Sequence, residues 1–378
     1  MSPAVSGEER LLGRRGSSLA VRAAAAMGAT VLAALALAGC GPSTGEPALT
    51  VYLSAPLSGP AGGDGRDVAA AARAALADAG GEAGGVAVRL RVLDDAGGGG
   101  ATDVLAAANA RSATQDSTAI AYIGELDSGT TRTSLPITNE AGLLQVSPAA
   151  SAVDLTRVAP GSDEIPDATQ PSGVRTFGRV VPSDSAQGAA AAGLIADRGL
   201  ERVRVVGGGG AYGEALRHGF ESVAGAPTLA AAGPAGAVYV AAAQPAYVDG
   251  RGFVFGADAQ IGGSPPATTL PPGALVLSGT QAPSQLPGGE TDGLGRDPGR
   301  LAAYGYEAMA VVLDSIGRAD DPLDRGSVVD AFFATSDRES ILGTYSIDEV
   351  GDTTLDRVGA YEATRDGLRP LPEPVAAP

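Results

Sequence analysis

The chain has 378 residues, 44% of them hydrophobic, and a formal charge of −17. That apolar content excludes general disorder, and the length suits two domains. The acidic balance excludes nucleic acid as a partner, because phosphate binding needs clustered positive charge. All 26 basic residues are arginine, which removes Schiff-base lysines and the lysine of a P-loop. One cysteine, Cys40, and one histidine, His218, leave no zinc cluster and no disulfide, and no cofactor is implied.

Along the chain, Arg10, Arg14, Arg15 and Arg22 precede an uncharged apolar run over residues 23–37, which ends in Leu37-Ala38-Gly39-Cys40. A basic start, an apolar middle and small residues before a cut describe an export signal over residues 1–39. The run is short for a spanning helix, which needs about 20 apolar residues. Leu37 to Cys40 resembles the lipobox of bacterial lipoproteins. That resemblance implies a lipid on Cys40 and an extracytoplasmic protein anchored to the bacterial membrane. Gly41, Pro42, Ser43 and Thr44 suit a flexible tether over 40–47.

Strands are predicted at 48–54, 86–94, 119–123 and 143–147, and helices at 68–78, 102–114 and 131–141. Asp67 is placed to cap the first helix. This β-α-β-α order predicts an α/β layer with a parallel sheet. Residues 158–174 are rich in Pro, Gly, Asp and Ser and predict a surface excursion. A second α/β unit follows, with strands at 176–180, 202–206, 237–241, 253–256 and 274–278 and helices at 186–198 and 213–223. Asp184 followed by Gln187 reads as a capping box. The last strong helix spans 301–318, and a Pro-rich tail closes the chain.

Open parallel sheets bind ligands in loops beyond the carboxyl ends of their strands. Three such loops stand out, at 55–60, 124–130 and 147–151. They offer hydroxyls, backbone N–H groups and helix N-termini, with little positive charge.

The strings APLSGP (55–60), VLDDAG (92–97), IGELDSGTT (123–131), NEAGLLQVSPAAS (139–151), RVVPSDSAQG (179–188) and AYGEAL (211–216) occur in order, followed by AAYGYEAMAVVLDSI (302–316) and GTYSIDEVGDTTL (343–355). The ordered set resembles the substrate-binding lipoproteins of branched-chain amino-acid ABC importers, with the type 1 periplasmic-binding-protein fold. The resemblance implies two doubly wound α/β lobes joined by a hinge of crossing strands. Lobe one is expected at 48–157 and 283–340. A shortened lobe two is expected at 158–282 and 341–368, with the tail at 369–378. The implied function is non-enzymatic: a monomer captures a small amino-acid-like ligand between the lobes and presents it to an ABC permease.

Carried over residue by residue, Ser128 matches the position that bonds the ligand carboxylate. Ala149 and Ala150 match backbone contacts, Ser151 a hydroxyl contact, Tyr212 an aromatic wall and Asp258 an acid for the ligand ammonium. The chain departs from the family at Asp64, where some relatives carry a large apolar side chain. It also departs at Glu125 and Asp127, which add acid beside Ser128, and at the glycine run 207–210. These departures weigh against leucine-like ligands and leave open a more cationic or polar ligand or a degenerate cleft.

Two alternatives stay open. One is a receptor that senses its ligand without transporting it. The other is a nucleotide-binding enzyme, because Gly208, Gly210 and Gly213 satisfy G-x-G-x-x-G between a strand and a helix, although the expected downstream acid is missing. Asp94 and Asp95 point to opposite faces of a strand end and make a poor acid/base couple.

Overall fold

The computed structural model describes residues 48–159, 169–207, 209–230, 235–241, 253–256, 261–262, 267–268, 270–289, 291, 294–295 and 297–378. Among these, no helix is long and apolar enough to cross a membrane.

The first stretch runs β1 (Ala48–Ala55), α1 (Gly62–Asp78), β2 (Glu82–Ala83), β3 (Val86–Asp94), α2 (Asp103–Thr114), β4 (Ala119–Ile123), α3 (Ser128–Glu140), β5 (Leu144–Ser147) and β6 (Phe177–Arg179). It forms a six-stranded sheet ordered β2-β3-β1-β4-β5-β6, parallel apart from the β2–β3 pair. Next come α4 (Asp184–Ala196), β7 (Arg202–Gly207), α5 (Gly210–Ser222), β8 (Thr228–Ala230), β9 (Ala237–Ala241) and β10 (Phe253–Gly256). A small hairpin of β11 (Ile261–Gly262) and β12 (Ala267–Thr268) precedes β13 (Leu275–Ser278). The chain ends with α6 (Ala302–Arg318), α7 (Arg325–Phe333), β14 (Arg338–Ser340), β15 (Gly343–Tyr345), β16 (Arg357–Thr364), β17 (Gly367–Pro370) and β18 (Val375–Ala376). The second sheet has eight strands, ordered β17-β16-β13-β10-β9-β7-β8 with β18 also on β16. It is parallel from β13 to β8 and antiparallel at its carboxyl-terminal strands.

The period-2 alternation of β1 sends its residues to two different cores. Leu49, Val51 and Leu53 join Val68 and Ala72 of α1 and Met309 and Val312 of α6. Tyr52 lies on the other face with Tyr122 of β4 and Ala110 and Ala113 of α2. Full burial of such a Leu or Val contributes about 1.5–3 kcal/mol, so a strand covered on both faces is strongly fixed in register. In the second lobe, Val203, Tyr239 and Phe255 pack under Ala191 and Ile195 of α4 and Leu216 and Phe220 of α5. These two helices meet backbone to backbone. A Cβ on Gly188 would stand 2.0 Å from the Leu216 carbonyl oxygen, and one on Gly219 would stand 1.9 Å from that of Ser185.

The chain passes between the sheets three times: after β6, after β13 and before β16. Leu342, Tyr345 and Leu355 belong to the first core, whereas Val358 and Ala360 belong to the second. These are the hinge crossings of a doubly wound, two-lobed α/β fold.

Several expectations need correction. The first lobe does not stop at 157, because β6 pairs with β5 and carries that sheet to Arg179. It also resumes through residue 355 rather than 340. The segment 369–378 is not a free tail, since β17 and β18 both pair with β16. The second lobe keeps a full sheet; the described residues between Ser222 and Ala302 add strands and short 3-10 turns but no α-helix. Asp67 does not cap α1, which begins at Gly62; its Oδ2 accepts from the Gly299 N–H at 3.2 Å instead. The capping box is also absent, because the N-cap of α4 is Ser183 and makes no side-chain cap bond. Gln187 turns inward and donates to the Leu277 carbonyl at 2.6 Å.

Candidate functional site

The three loops singled out in the sequence meet at the carboxyl ends of β1, β4 and β5. Together with the crossing segments they enclose a cavity of about 260 Å³. Pro56, Leu126, Val181 and Leu301 give it apolar walls, and Asp64, Ser151, Thr280 and Arg300 give it polar ones. A second cavity, of about 370 Å³, shares Asp127 and Ser151 with the first. It reaches across to the second lobe at Asp184, Ala211 and Tyr212.

The sequence-derived residues divide between these spaces. Ala149 lines the first cavity, Ser128 and Tyr212 the second, and Ser151 both. Ala150 lines neither: it is fully buried, its N–H donates to Ser147 Oγ at 2.8 Å, and its carbonyl accepts from Arg179. A backbone contact from Ala150 to a ligand is therefore set aside. Asp258, Cys40 and Gly208 lie outside the described residues, as does the signal and tether segment 1–47.

Local chemistry explains each placement. Asp127 is the N-cap of α3, and its Oδ1 accepts from the N–H groups of Gly129 at 2.8 Å and Thr130 at 3.0 Å. This seats Ser128 on the first turn, where its Oγ accepts from the Ala152 N–H at 3.2 Å and its own O–H stays available to donate. Arg132, one turn on, forks onto Asp154 at 2.5 and 2.6 Å and donates to the Ser128 carbonyl at 3.1 Å. The Ser151 carbonyl accepts from the Asp184 N–H at 2.9 Å, which ties the first lobe's binding loop to the start of α4. Tyr212 Oη donates to Gln187 Oε1 at 3.3 Å, which orients the ring.

Two buried devices hold these loops from behind. Arg179, fully buried, donates to the carbonyls of Ala150 at 3.2 Å and Ala152 at 2.7 Å and to Thr156 Oγ1 at 2.9 Å. Its counter-charge is Asp352, at 2.7 Å, from the strap before the third crossing. Burial alone would raise the Asp352 carboxyl; the Arg179 charge and bonds from Thr156, Arg157 and Arg179 pull it below the usual range. The second device is a carboxyl pair. Asp95 and Glu125 are fully buried, and Asp95 Oδ1 and Oδ2 and Glu125 Oε2 have no hydrogen-bond partner among the described residues, so burial favours the neutral, protonated carboxyl at each. Burial pushes Asp95 up to about 6, and the charges of Asp94 and Asp127 add to that. Burial, and then the neighbouring Asp95 carboxyl, hold Glu125 well above the usual carboxylate range. Tyr122 Oη donates to Glu125 Oε1 at 2.5 Å, and Ser147 Oγ donates to the Glu125 carbonyl at 2.6 Å. Glu125 therefore does not add acid beside Ser128, as expected from sequence; it faces away from both cavities. Asp94 points elsewhere and accepts from the N–H groups of Leu57 and Ala96 at 2.9 Å each.

Sequence reasoning missed Arg300. It follows a Gly- and Pro-rich stretch with no periodic signal, and only the fold brings it beside Thr280 and Asp64. Its Nη1 donates to Thr280 Oγ1 at 2.9 Å, and its Nη2 lies 4.0 Å from Asp64 Oδ2.

The periplasmic binding protein family model matches residues 49–249. A comparison with curated proteins finds no match. Among solved structures, the chain is similar to a leucine-binding protein, LivK, from Thermotoga maritima. The TM-score is 0.63 at 20% identity, covering 85% of this chain and 97% of that one. It is similar to an ABC transporter substrate-binding protein from Desulfitobacterium hafniense in complex with Leu, with a TM-score of 0.65, 19% identity, and coverage of 86% and 100%. It is also similar to an ABC transporter solute-binding protein from Rhodopseudomonas palustris in complex with 3,4-dihydroxybenzoic acid, with a TM-score of 0.62, 16% identity, and coverage of 88% and 97%.

Proposed function

Since the chain belongs to the periplasmic binding protein family, we propose that it is a solute receptor that captures one small polar ligand, an amino acid or a related compound, for an ABC importer. The observation that carries this reading is the pair of adjoining cavities. The first lobe's strand-end loops build most of their walls, and Asp184 and Tyr212 of the second lobe close the far side. Such a site is completed when two lobes rotate together about crossing segments. The contacts proposed are the hydroxyls of Ser128, Ser151 and Tyr212 and the wall at Ala149, with Asp258 as a further acid. The closed lobes then form the surface that an ABC permease reads. A lipid on Cys40 holds the receptor, as a monomer, at the outer face of the membrane. No step of this cycle changes a covalent bond in the ligand.

Isothermal titration of the mature, unlipidated protein against amino acids, amides, polyamines and aromatic acids tests the reading. Saturable one-site binding of one class is the expected result. No heat from any of them, with protein shown to be folded by circular dichroism, overturns it.

A further inference from the structure

Arg300 is the one cation among the described residues that wall the first cavity, and its bonding is one-sided. Nη1 donates to Thr280 Oγ1 at 2.9 Å and reaches Ser278 Oγ at 3.5 Å. Among the described residues, Nε and Nη2 have no hydrogen-bond acceptor. The Asp64 carboxylate stops 4.0 Å from Nη2 and has partners of its own. Nε–H and Nη2–H lie along one edge of the planar guanidinium and point the same way, which suits the two oxygens of a carboxylate. Arg132 uses that edge in this molecule, where its Nε and Nη2 bond the two oxygens of Asp154 at 2.5 and 2.6 Å. In Arg300 the edge is unused, although the side chain is only 23% exposed.

The opposite edge of Arg300 is fixed. Ser278 and Thr280 are buried and bonded to each other at 3.0 Å. The Tyr304 hydroxyl accepts from the Gln281 N–H at 2.9 Å and donates to the Gly279 carbonyl at 3.4 Å, which holds the same segment. A donor anchored in this way loses little freedom when it binds a ligand.

Two carboxylates share the wall, Asp64 and Asp127, but three helix N-caps line it too: Ala61 of α1, Asp127 of α3 and Leu301 of α6. Each helix start carries roughly half a positive charge. Asp64 sits in the first turn of α1 and Asp127 caps α3, so each acid answers its own helix. α6 has neither a side-chain cap nor an acid in its first turn, and Arg300 stands directly before its N-cap. The wall at Arg300 and Leu301 is therefore positive. The net charge of −17 acts mostly from beyond about 8 Å, where physiological salt screens it, so the groups in the wall decide.

Resting on the solute-receptor reading, we propose that Arg300 selects the ligand by gripping a carboxylate through Nε and Nη2. The ligand is a small carboxylic acid whose carbon body lies against Pro56, Leu126 and Leu301. Ser128 lines the second cavity and not the first, so it meets the ligand's other end rather than its carboxylate. Amino acids and plain organic acids share this head group, and the choice of probes separates them.

The test is isothermal titration at neutral pH with L-leucine, L-glutamine, L-arginine and 4-hydroxybenzoate, each paired with its carboxamide, and with spermidine as a cation that carries no acid. At least one acid should bind roughly 100-fold or more tightly than its carboxamide, because a site built for a polar group rejects the analogue lacking it. Arg300→Gln should cut that ratio to under tenfold. Arg300→Lys, which keeps the charge but not the fork, should give an intermediate ratio, and it carries the comparison alone if circular dichroism shows Arg300→Gln unfolded. Ser128→Ala should leave the ratio within threefold of wild type. A carboxamide or spermidine that binds as tightly as any acid overturns the proposal and leaves the receptor reading standing. So does a ratio that the Arg300 variants leave unchanged or that Ser128→Ala collapses. Silence toward every probe from folded protein overturns both readings.

Discussion

The Arg179–Asp352 pair gives the sharpest stability prediction. Arg179 is fully enclosed and the Asp352 side chain is 14% exposed, so the two charges face each other with little solvent between them. Asp352→Ala leaves the guanidinium bonded to Thr156 and two carbonyls but with no counter-charge, because Arg157 only adds like charge nearby. Removing one partner of a buried pair costs about 3–5 kcal/mol. Arg179→Met acts differently. It strips the donors from the carbonyls of Ala150 and Ala152, at about 1–3 kcal/mol for each polar group left unmet. Asp352 then keeps Arg157 at 2.9 Å. The double variant Arg179→Met/Asp352→Ala should be less destabilised than the sum of the singles, by about 2 kcal/mol, because neither residue then faces an orphaned charge. Urea denaturation followed by far-ultraviolet circular dichroism measures all three. A cost below 1 kcal/mol for Asp352→Ala, or strict additivity in the double variant, refutes the claim that this pair anchors the binding loop. The pH dependence has a defined sign. The folded Asp352 carboxyl titrates below its unfolded value, so its contribution is present above about pH 4 and is lost as pH falls through the folded value.

The Asp95–Glu125 pair predicts the reverse trend. Its folded affinity for protons is raised, so its contribution is full below about pH 4 and is lost as pH rises through about 6. Glu125→Gln should flatten melting temperature against pH across that interval, and an unchanged slope would discard the raised proton affinity of this pair. At the α4–α5 contact, Gly219→Ala places a methyl 1.9 Å from a backbone oxygen. It should cost about 1–3 kcal/mol or more by overpacking. Gly209→Ala meets nothing within 4 Å and serves as the control, with a change under about 0.5 kcal/mol on thermal melting. Equal melting of the two variants would remove the close approach as an explanation.

Much of the architecture is legible in local patterns. β3, β4, β9 and β10 have the bounds read from sequence, because β3 alternates apolar and more polar positions and the other three are apolar runs between turn residues. Helix starts were less legible. α1 begins at Gly62 and α5 at Gly210, through glycines that propensity assigns to loops, because tertiary contact outweighs a cost of about 1 kcal/mol per glycine. Strands of two or three residues, such as β8, β15 and β18, are too short to show any period. The lobe to which β6 belongs is a matter of pairing with β5, which no local signal contains. The site divides in the same way. The loops bearing Ser128 and Ser151 follow recognisable strands and were found. Arg179 and Asp352, distant in sequence, and Arg300, in a stretch without period, become partners only through the topology.

The back-and-forth path of the chain has a consequence for how the molecule is made. The inner face of β1, the first strand, is sealed by α6, which is synthesised much later, and the second sheet is finished only by the last strands, β16 to β18. Neither half can complete its core while the rest of the polypeptide is still emerging. Contacts so distant in sequence make for slow acquisition of structure. A chain threaded through a membrane translocase would therefore stay pliable until its final third arrives, and both halves would then mature together.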